Sequence, residues 1–254
     1  MERNDSALLQ ATTLLDWQTP DILHLVSARG WRELPEFERV GAIYRFVRDE
    51  IAFGYNERDD LPASRVLEDG YGQCNTKTIL LMALLRAAGI ACRLHGATIH
   101  KRLQKGVVSG LFYLLAPESI LQTWAEVKGE RGWTALEGVI LDKPYLDGVR
   151  QFAPSGTRCM LGYAVGTDNW DAPAIEWEGS DTAIQQTGVN RDYGTFGDPD
   201  AFYLRHGGNL SGIKSWLYRH AVRHLMNRKV ARIRAAAFIG TESRGATNES
   251  TWRS

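Results

Sequence analysis

The sequence predicts an α+β fold in which helices come first along the chain and an antiparallel sheet follows. Three observations carry this prediction. Apolar residues recur at helical spacing over residues 37–47, and the run from Cys74 to Ala88 is apolar on almost every side. From Ala91 onward the apolar pattern changes to a period of two, which is typical of strands.

Composition limits the possible functions. The 254 residues are 44% hydrophobic, enough for a full core, and 30 basic side chains balance 30 acidic ones. The neutral total argues against a polycation that coats nucleic acid. No run reaches the roughly 18 apolar residues of a membrane helix, and the first ten residues are too polar for a signal peptide. Three cysteines do not suggest a disulfide framework, so we expect a reduced cytoplasmic protein.

The helical half of the chain contains four predicted elements. Residues 1–35 form a helical lead-in, a helix spans Pro35 to Ile51, and a short one spans residues 63–68. The next helix begins at Cys74 and ends at Gly89. Because it lacks a polar face, this helix is expected at the centre of the core.

Strands are predicted at residues 91–98, 123–127 and 133–137, and residues 129–132 join the last two as a hairpin. Residues 101–121 form a partly helical connection. The core domain therefore covers residues 36–147. A loop-rich C-terminal extension covers 148–240 and ends in a basic helix from Ile213 to about Ala237, followed by a mobile tail at 241–254.

Cys74 is the first candidate functional residue. It begins a helix directly after two glycines, where free N–H groups and the helix dipole stabilise a thiolate and could hold an oxyanion. Lys77 adds positive charge one turn later. The alternative interpretation is that Cys74 only fills space above the buried helix.

Three segments together resemble the transglutaminase-like superfamily of papain-type cysteine enzymes. They are Gly-Gln-Cys-Asn at 72–75 with the Leu-Arg-Ala-Ala-Gly-Ile phrase at 85–90, Gln-Thr-Trp-Ala-Glu-Val at 122–127, and Trp-Thr-Ala-Leu-Glu at 133–137. The resemblance covers roughly residues 37–142. It implies a catalytic triad with Cys74 as nucleophile and Glu137 in the place of the aspartate.

Gln122 stands where the resemblance places the catalytic histidine, and a neutral amide cannot accept the thiol proton at useful pH. The fold without the activity, a base supplied from elsewhere, and chemistry that needs only a thiolate all remain open, as does an engineered change at position 122. His100 is the candidate for a substitute base, because the end of strand 91–99 lies beside the start of strand 123–127. His95 is a weaker candidate in mid-strand.

The remaining candidates have plainer explanations. Gln73, Gln122 and Trp124 are expected to contact the oxyanion or the substrate. Cys92 and Cys159 are expected to serve packing. His220 and His224 share a helix face at metal-ligand spacing, but surrounding arginines disfavour a cation, so neither a metal nor an organic cofactor is expected.

Two further surfaces are considered. The basic C-terminal helix is either a solvated amphipathic helix or a docking surface for an acidic partner, anionic lipid or nucleic acid, of which nucleic acid has the least support. Six of the aromatic residues in the extension either wall a substrate cleft or form a second core layer: Trp170, Trp177, Tyr193, Phe196, Phe202 and Tyr203.

We therefore expect a cysteine-nucleophile acyl-transfer enzyme with an altered triad, either an amidase, a peptidase or an amide-forming transferase. Its substrate would be a small-molecule or peptide carbonyl compound. The alternative function, from another class, is a catalytically degenerate member of the same fold that acts as a binding or scaffold module.

Overall fold

The computed structural model describes residues 6–129 and 132–248, and its architecture is the predicted α+β fold. The main sheet has the strand order β5-β4-β3-β8, and each neighbouring pair is antiparallel. Two small two-stranded sheets, β1-β2 and β6-β7, accompany it. The strands are β1 (Ala52–Phe53), β2 (Tyr71–Gly72), β3 (Cys92–His100), β4 (Ser119–Gly129), β5 (Gly132–Ala135), β6 (Met160–Gly162), β7 (Val165–Thr167) and β8 (Val189–Phe196).

The helices surround this sheet and include the predicted central helix. They are α1 (Pro20–Ala28), α2 (Glu36–Arg45), α3 (Ala63–Asp69), α4 (Cys74–Ala87), α5 (Gly110–Leu115), α6 (Lys143–Arg150), α7 (Pro199–His206), α8 (Gly212–Leu217) and α9 (Arg223–Asn248). Turns of π-helix extend α2 through Glu50 and join α8 to α9. In α4, every residue from Asn75 to Ala87 is buried, as expected of a helix without a polar face.

The predicted helices at residues 35–51, 63–68 and 74–88 are confirmed within one or two residues, and so are the antiparallel β3-β4 and β4-β5 pairs. The segment after residue 148 is more regular than expected. It supplies β8, which pairs with β3 and completes the main sheet, so the extension and the core share one sheet. The last helix continues to Asn248, into the expected tail, and residues 249–254 lie outside the described residues.

The C-terminal helix α9 packs against the core. Arg234 forms an ion pair with buried Asp142 at 2.7 Å and donates a hydrogen bond to the carbonyl of Phe53. The backbones of α6 and α9 approach so closely that a Cβ on Gly148 would overlap the carbonyl of Ile233. The basic helix is therefore an integral part of the fold, and one of its faces packs against the core.

Candidate active-site cleft

A cleft of about 400 Å³ opens beside the N-terminus of α4 and contains Cys74 in its wall. Its other walls come from the 53–60 segment, the α5 region and residues 208–226 of the C-terminal segment. Most of the lining is apolar: Phe53, Tyr55, Ile99, Val108, Phe112, Leu115, Ile120, Leu121, Leu210, Leu217, Tyr218, Val222 and Met226. The mostly apolar surface of the cleft suits an apolar chain, and the polar side chains at its walls could fix the orientation of a ligand.

Close packing at the start of α4 places Cys74 at the cleft. Gly72 lies against the helix, and a Cβ there would come within 2.7 Å of the Thr76 hydroxyl. The Gln73 backbone N–H donates to that hydroxyl at 3.1 Å, which caps the helix. Cys74 is therefore the first helical residue and is partly exposed, whereas the residues that follow it are buried.

Side chains of α4 fix its position along strand β4. The Asn75 amide donates to the carbonyl of Leu121 at 3.1 Å and accepts from the Thr123 hydroxyl at 3.1 Å. One turn later, Thr78 donates to the carbonyl of Thr123 at 3.0 Å. These bonds hold Cys74 beside the part of β4 that contains Gln122.

Gln122 is fully buried and joined to Glu137, as the resemblance to a triad implies for the histidine position. Its Nε2 donates to Oε1 of Glu137 at 2.9 Å. The amide orientation follows from this bond, because only the nitrogen can donate to a carboxylate. Its Oε1 has no hydrogen-bond partner among the described residues. Gln122 thus reproduces the orienting bond of a catalytic histidine but offers an amide oxygen in place of a basic nitrogen.

Glu137 lies in a buried nest of donors. The backbone N–H groups of Ile184 and Gln185 donate to its carboxylate, in addition to Gln122. Burial nevertheless raises the pKa of Glu137 to about 7, and the three donors only partly offset this. A cation at position 122 would compensate this buried charge, and Gln122 provides none.

Burial opposes the thiolate that the position of Cys74 at a helix N-terminus favours. Burial raises its pKa above the ordinary range, and the nearby carboxylates of Asp59 and Glu137 add to this effect. Hydrogen bonds from the backbone of Asn75 and Thr123 favour the thiolate but do not outweigh burial. Burial thus favours the neutral thiol, and Lys77 does not offset this effect, since its buried Nζ donates to the carbonyl of Arg48.

The expected oxyanion donors are present only in part. Gln73 uses its backbone N–H for Thr76, so the donors left for an oxyanion are the N–H groups at the start of the helix, among them that of Cys74. The Gln73 side chain lines the cleft, accepts from Asn56 N–H at 2.7 Å and donates to Asp59 at 3.2 Å. It therefore shapes the wall next to the thiol and positions Asp59.

The structure does not bring His100 to the thiol. In the β3-β4 register Gln122 faces Ala97, whereas His100 faces Ser119, three residues or about 10 Å further along the strand. The Nδ1 of His100 accepts the backbone N–H of Arg102 at 3.0 Å, and the residue lies outside the cleft lining. His100 thus caps the turn that follows β3 and is not placed as a base.

His95 and Trp124 belong to a different cluster on the sheet. The His95 ring stacks on Trp124 with a centroid distance of 4.3 Å, and its two nitrogens contact Glu126 and Asp192 at 2.8 Å each. These carboxylates raise the pKa of His95 against the effect of its burial. Neither His95 nor Trp124 lines the cleft, so the substrate contact expected of Trp124 is not supported.

For the other candidate residues from the sequence, the structure shows either a packing role or no role. Cys92 is buried, and Cys159 is exposed. His220 and His224 are exposed, and no metal-binding cluster of three His, Cys, Asp or Glu residues occurs among the described residues. Among the aromatic residues of the extension, Trp170 lies under Arg150, Trp177 against Phe37, and Phe202 packs with Phe196. Tyr203 differs from these, because it is buried near Asp59 and Cys74.

Sequence reasoning missed the residues that join the C-terminal segment to the cleft. Asn209 donates to Asp59 at 2.8 Å and accepts the backbone N–H of Leu121 at 2.6 Å. Asn227 pairs with both backbone groups of Tyr55, at 2.7 and 3.0 Å. No local pattern marks these asparagines, because their partners lie more than 80 residues away in the chain.

Comparison with known proteins agrees with this geometry. Residues 28–138 match the family model of the transglutaminase-like superfamily. Over these residues the chain is similar to that superfamily. The match supports a cysteine-type enzyme, and it includes Cys74, Gln122 and Glu137.

Two other comparisons add little. No curated protein matches the chain at a significant level. A solved structure described as "a Putative Cysteine Protease from Cytophaga hutchinsonii" aligns with a TM-score of 0.46 and 11% identity, over 79% of this chain and 49% of that one. The chain thus spans about half the length of that protein. No helix among the described residues is both long and apolar enough to cross a membrane.

Proposed function

We propose that the protein is a cysteine-dependent acyl-transfer enzyme whose substrate is an activated carbonyl compound with an apolar chain. The observation that carries this proposal is the place of Cys74, a partly exposed thiol in the wall of a cleft whose surface is mostly apolar. The chain of the substrate would occupy the cleft, and its carbonyl carbon would lie against the sulfur. The Cys74 N–H would then donate to the carbonyl oxygen as negative charge develops there.

The absence of a base at Gln122 decides the kind of acyl donor. An amide needs a strong nucleophile and a general acid for its poor leaving group, and position 122 supplies neither. A thioester is less demanding. The Cys74 sulfur forms a bond to the acyl carbon, the bond from that carbon to the leaving sulfur breaks, and the Cys74 proton ends on the departing thiol. We therefore favour thioesters or reactive esters over peptides.

A second function has its own observation in support. The Gln122 amide is bound to Glu137, and burial keeps the Cys74 thiol neutral, as expected of a cleft that binds a ligand without reacting. In this case the protein would be a binding module for apolar chains. Both functions use the same cleft, so ligand binding alone does not separate them, whereas a covalent adduct on Cys74 does.

The experiment is incubation of the protein with an octanoyl thioester, followed by intact-mass and peptide analysis. The proposal predicts one octanoyl group on Cys74, no adduct in Cys74→Ser, and slower acylation by an acetyl thioester that cannot fill the cleft. Cys159 is the matched control, because it is an exposed thiol outside the cleft. Acylation of Cys159 alone, or binding of the octanoyl chain without any adduct, would favour the binding module.

A further inference from the structure

The mouth of the cleft is bordered by exposed apolar side chains on two sides. On one side, Leu114 and Leu115 of α5 are 72% and 54% exposed. On the other side, Ile213 and Trp216 of α8 are 82% and 61% exposed, and Leu217 follows them. Leu115 and Leu217 also line the cleft, so the apolar surface continues from its interior to its rim. We call these five residues the apolar rim.

The stretch of chain that includes α8, and with it one side of the apolar rim, is strongly cationic. Between Asp200 and Glu242 the sequence contains no acidic residue and eight basic ones: Arg205, Lys214, Arg219, Arg223, Arg228, Lys229, Arg232 and Arg234. Arg234 is used in the ion pair with Asp142. Lys214 and Arg219 are exposed, line the cleft and have no acidic partner among the described residues.

Three acidic side chains, Glu57, Asp59 and Asp60, also line the cleft. Asp59 accepts hydrogen bonds from Asn209 and Gln73, and Asp60 pairs with Arg58 at 3.4 Å. Among the described residues none of the three forms an ion pair with Lys214 or Arg219, and the eight basic residues between Asp200 and Glu242 outnumber them. An uncompensated basic face next to exposed Trp, Leu and Ile side chains is the pattern of a helix that lies in an anionic lipid interface.

We propose that the apolar rim and the adjacent cations dock the protein on an anionic lipid surface, with the mouth of the cleft facing the membrane. The exposed side chains of Ile213, Trp216 and Leu114 would enter the boundary between headgroups and acyl chains, together with Leu115. Lys214 and Arg219 would contact lipid phosphates. A second copy of this chain fits less well, because its own cations would face these. Duplex nucleic acid would leave the apolar side chains without a partner.

This docking is independent of the chemistry proposed for Cys74. Its consequence for the cleft is direct access, since an acyl chain could pass from the lipid between Leu115 and Leu217 without crossing water. Membrane docking and acyl transfer at Cys74 can be tested separately, because Cys74→Ser removes the thiol nucleophile and leaves the apolar rim unchanged.

The test is co-sedimentation of the full-length protein with vesicles of phosphatidylcholine alone or with about 30 mol% phosphatidylglycerol. We expect binding to the anionic vesicles at least about tenfold tighter than to the neutral ones, and weakened by salt. Ile213→Ser with Trp216→Ser, and separately Lys214→Glu with Arg219→Glu, should each lower this affinity about tenfold or more. All four side chains are exposed, so circular dichroism should show an unchanged fold.

Phe37→Ser is the matched control, because Phe37 is an exposed aromatic residue on α2 outside the cleft lining. It should bind vesicles like the wild type, and so should Cys74→Ser. Equal binding to neutral and anionic vesicles overturns the proposal, as does wild-type affinity in either double variant. Binding to duplex DNA or to poly-glutamate without binding to vesicles also overturns it and favours the corresponding macromolecule.

Discussion

Replacement of Gln122 by histidine should raise the reactivity of the Cys74 thiol. The Gln122 Nε2 lies 2.9 Å from the Glu137 carboxylate, and the histidine Nδ1–H can take over this bond in a similar volume. The ring would then hold Nε2 near the place of the unpartnered Gln122 Oε1, on the side away from Glu137. Glu137 is already fixed by the backbone of Ile184 and Gln185, so the orienting carboxylate needs no rearrangement.

The size of the effect follows from electrostatics. An imidazolium within about 4–6 Å lowers the pKa of an acidic group by about 1–3 units, which gives about 10- to 1000-fold more thiolate at fixed pH. A positioned general base contributes about 10²- to 10⁴-fold in rate. We therefore expect Gln122→His to raise the rate of Cys74 alkylation at pH 7 by about 100-fold, with a corresponding gain in hydrolysis of p-nitrophenyl octanoate.

The assay is time-resolved iodoacetamide labelling from pH 6 to 10, read by peptide mass so that Cys74 is separated from Cys159. Gln122→Asn is the matched control, because it changes the same position without adding a base, and it should give no gain. Adding Glu137→Gln to Gln122→His should remove most of the gain. If Gln122→His folds like the wild type and labels Cys74 no faster, the assignment of positions 74, 122 and 137 to one triad is refuted.

Three further predictions follow from the site and the core. In the wild type, Cys74 should label more slowly than Cys159 at pH 7.5, with a rate that rises about tenfold per pH unit through pH 9, because burial raises its pKa; faster or pH-independent labelling would contradict the neutral thiol. Burial lowers the pKa of Lys77 to about 7 from an ordinary 10.5, so the unfolded chain binds more protons between these values. The free energy of unfolding should therefore rise with pH across this window, by up to about 5 kcal/mol from this group, and Lys77→Met should lose that rise in urea titrations. Asn75→Ala should lower the free energy of unfolding by about 1–3 kcal/mol, since Leu121 and Thr123 each lose a buried hydrogen-bond partner; an unchanged urea midpoint would argue against this clamp.

The local features of the fold could be predicted from the sequence. The central helix was predictable because residues 75–87 are apolar enough to be buried on every side, and a helix so placed has few alternatives. Strand β5, the hairpin partner of β4, was predictable because its apolar residues recur at a period of two. Strand β8 was missed because Asn190, Arg191 and Asp192 interrupt the apolar alternation, and its partner β3 lies about a hundred residues earlier.

The candidate site was predictable in position but not in electrostatics. Cys74 follows from its place at the head of a helix, whereas Gln122 and Glu137 follow from the resemblance to the transglutaminase-like superfamily. The Gln122–Glu137 bond joins two of the three. The ionisation of Cys74 depends instead on the residues that bury its thiol. Residues 208–226 close the cleft from a distance of more than 130 residues, so a local argument from the helix dipole overestimated the thiolate.

Intact-mass analysis after exposure to an octanoyl thioester tests most directly whether Cys74 is an acyl-accepting nucleophile. We expect a single octanoyl adduct that maps to Cys74, forms faster as pH rises, is absent in Cys74→Ser, and accumulates faster in Gln122→His. A cleft that takes up the octanoyl chain but leaves the Cys74 sulfur unmodified throughout would contradict it.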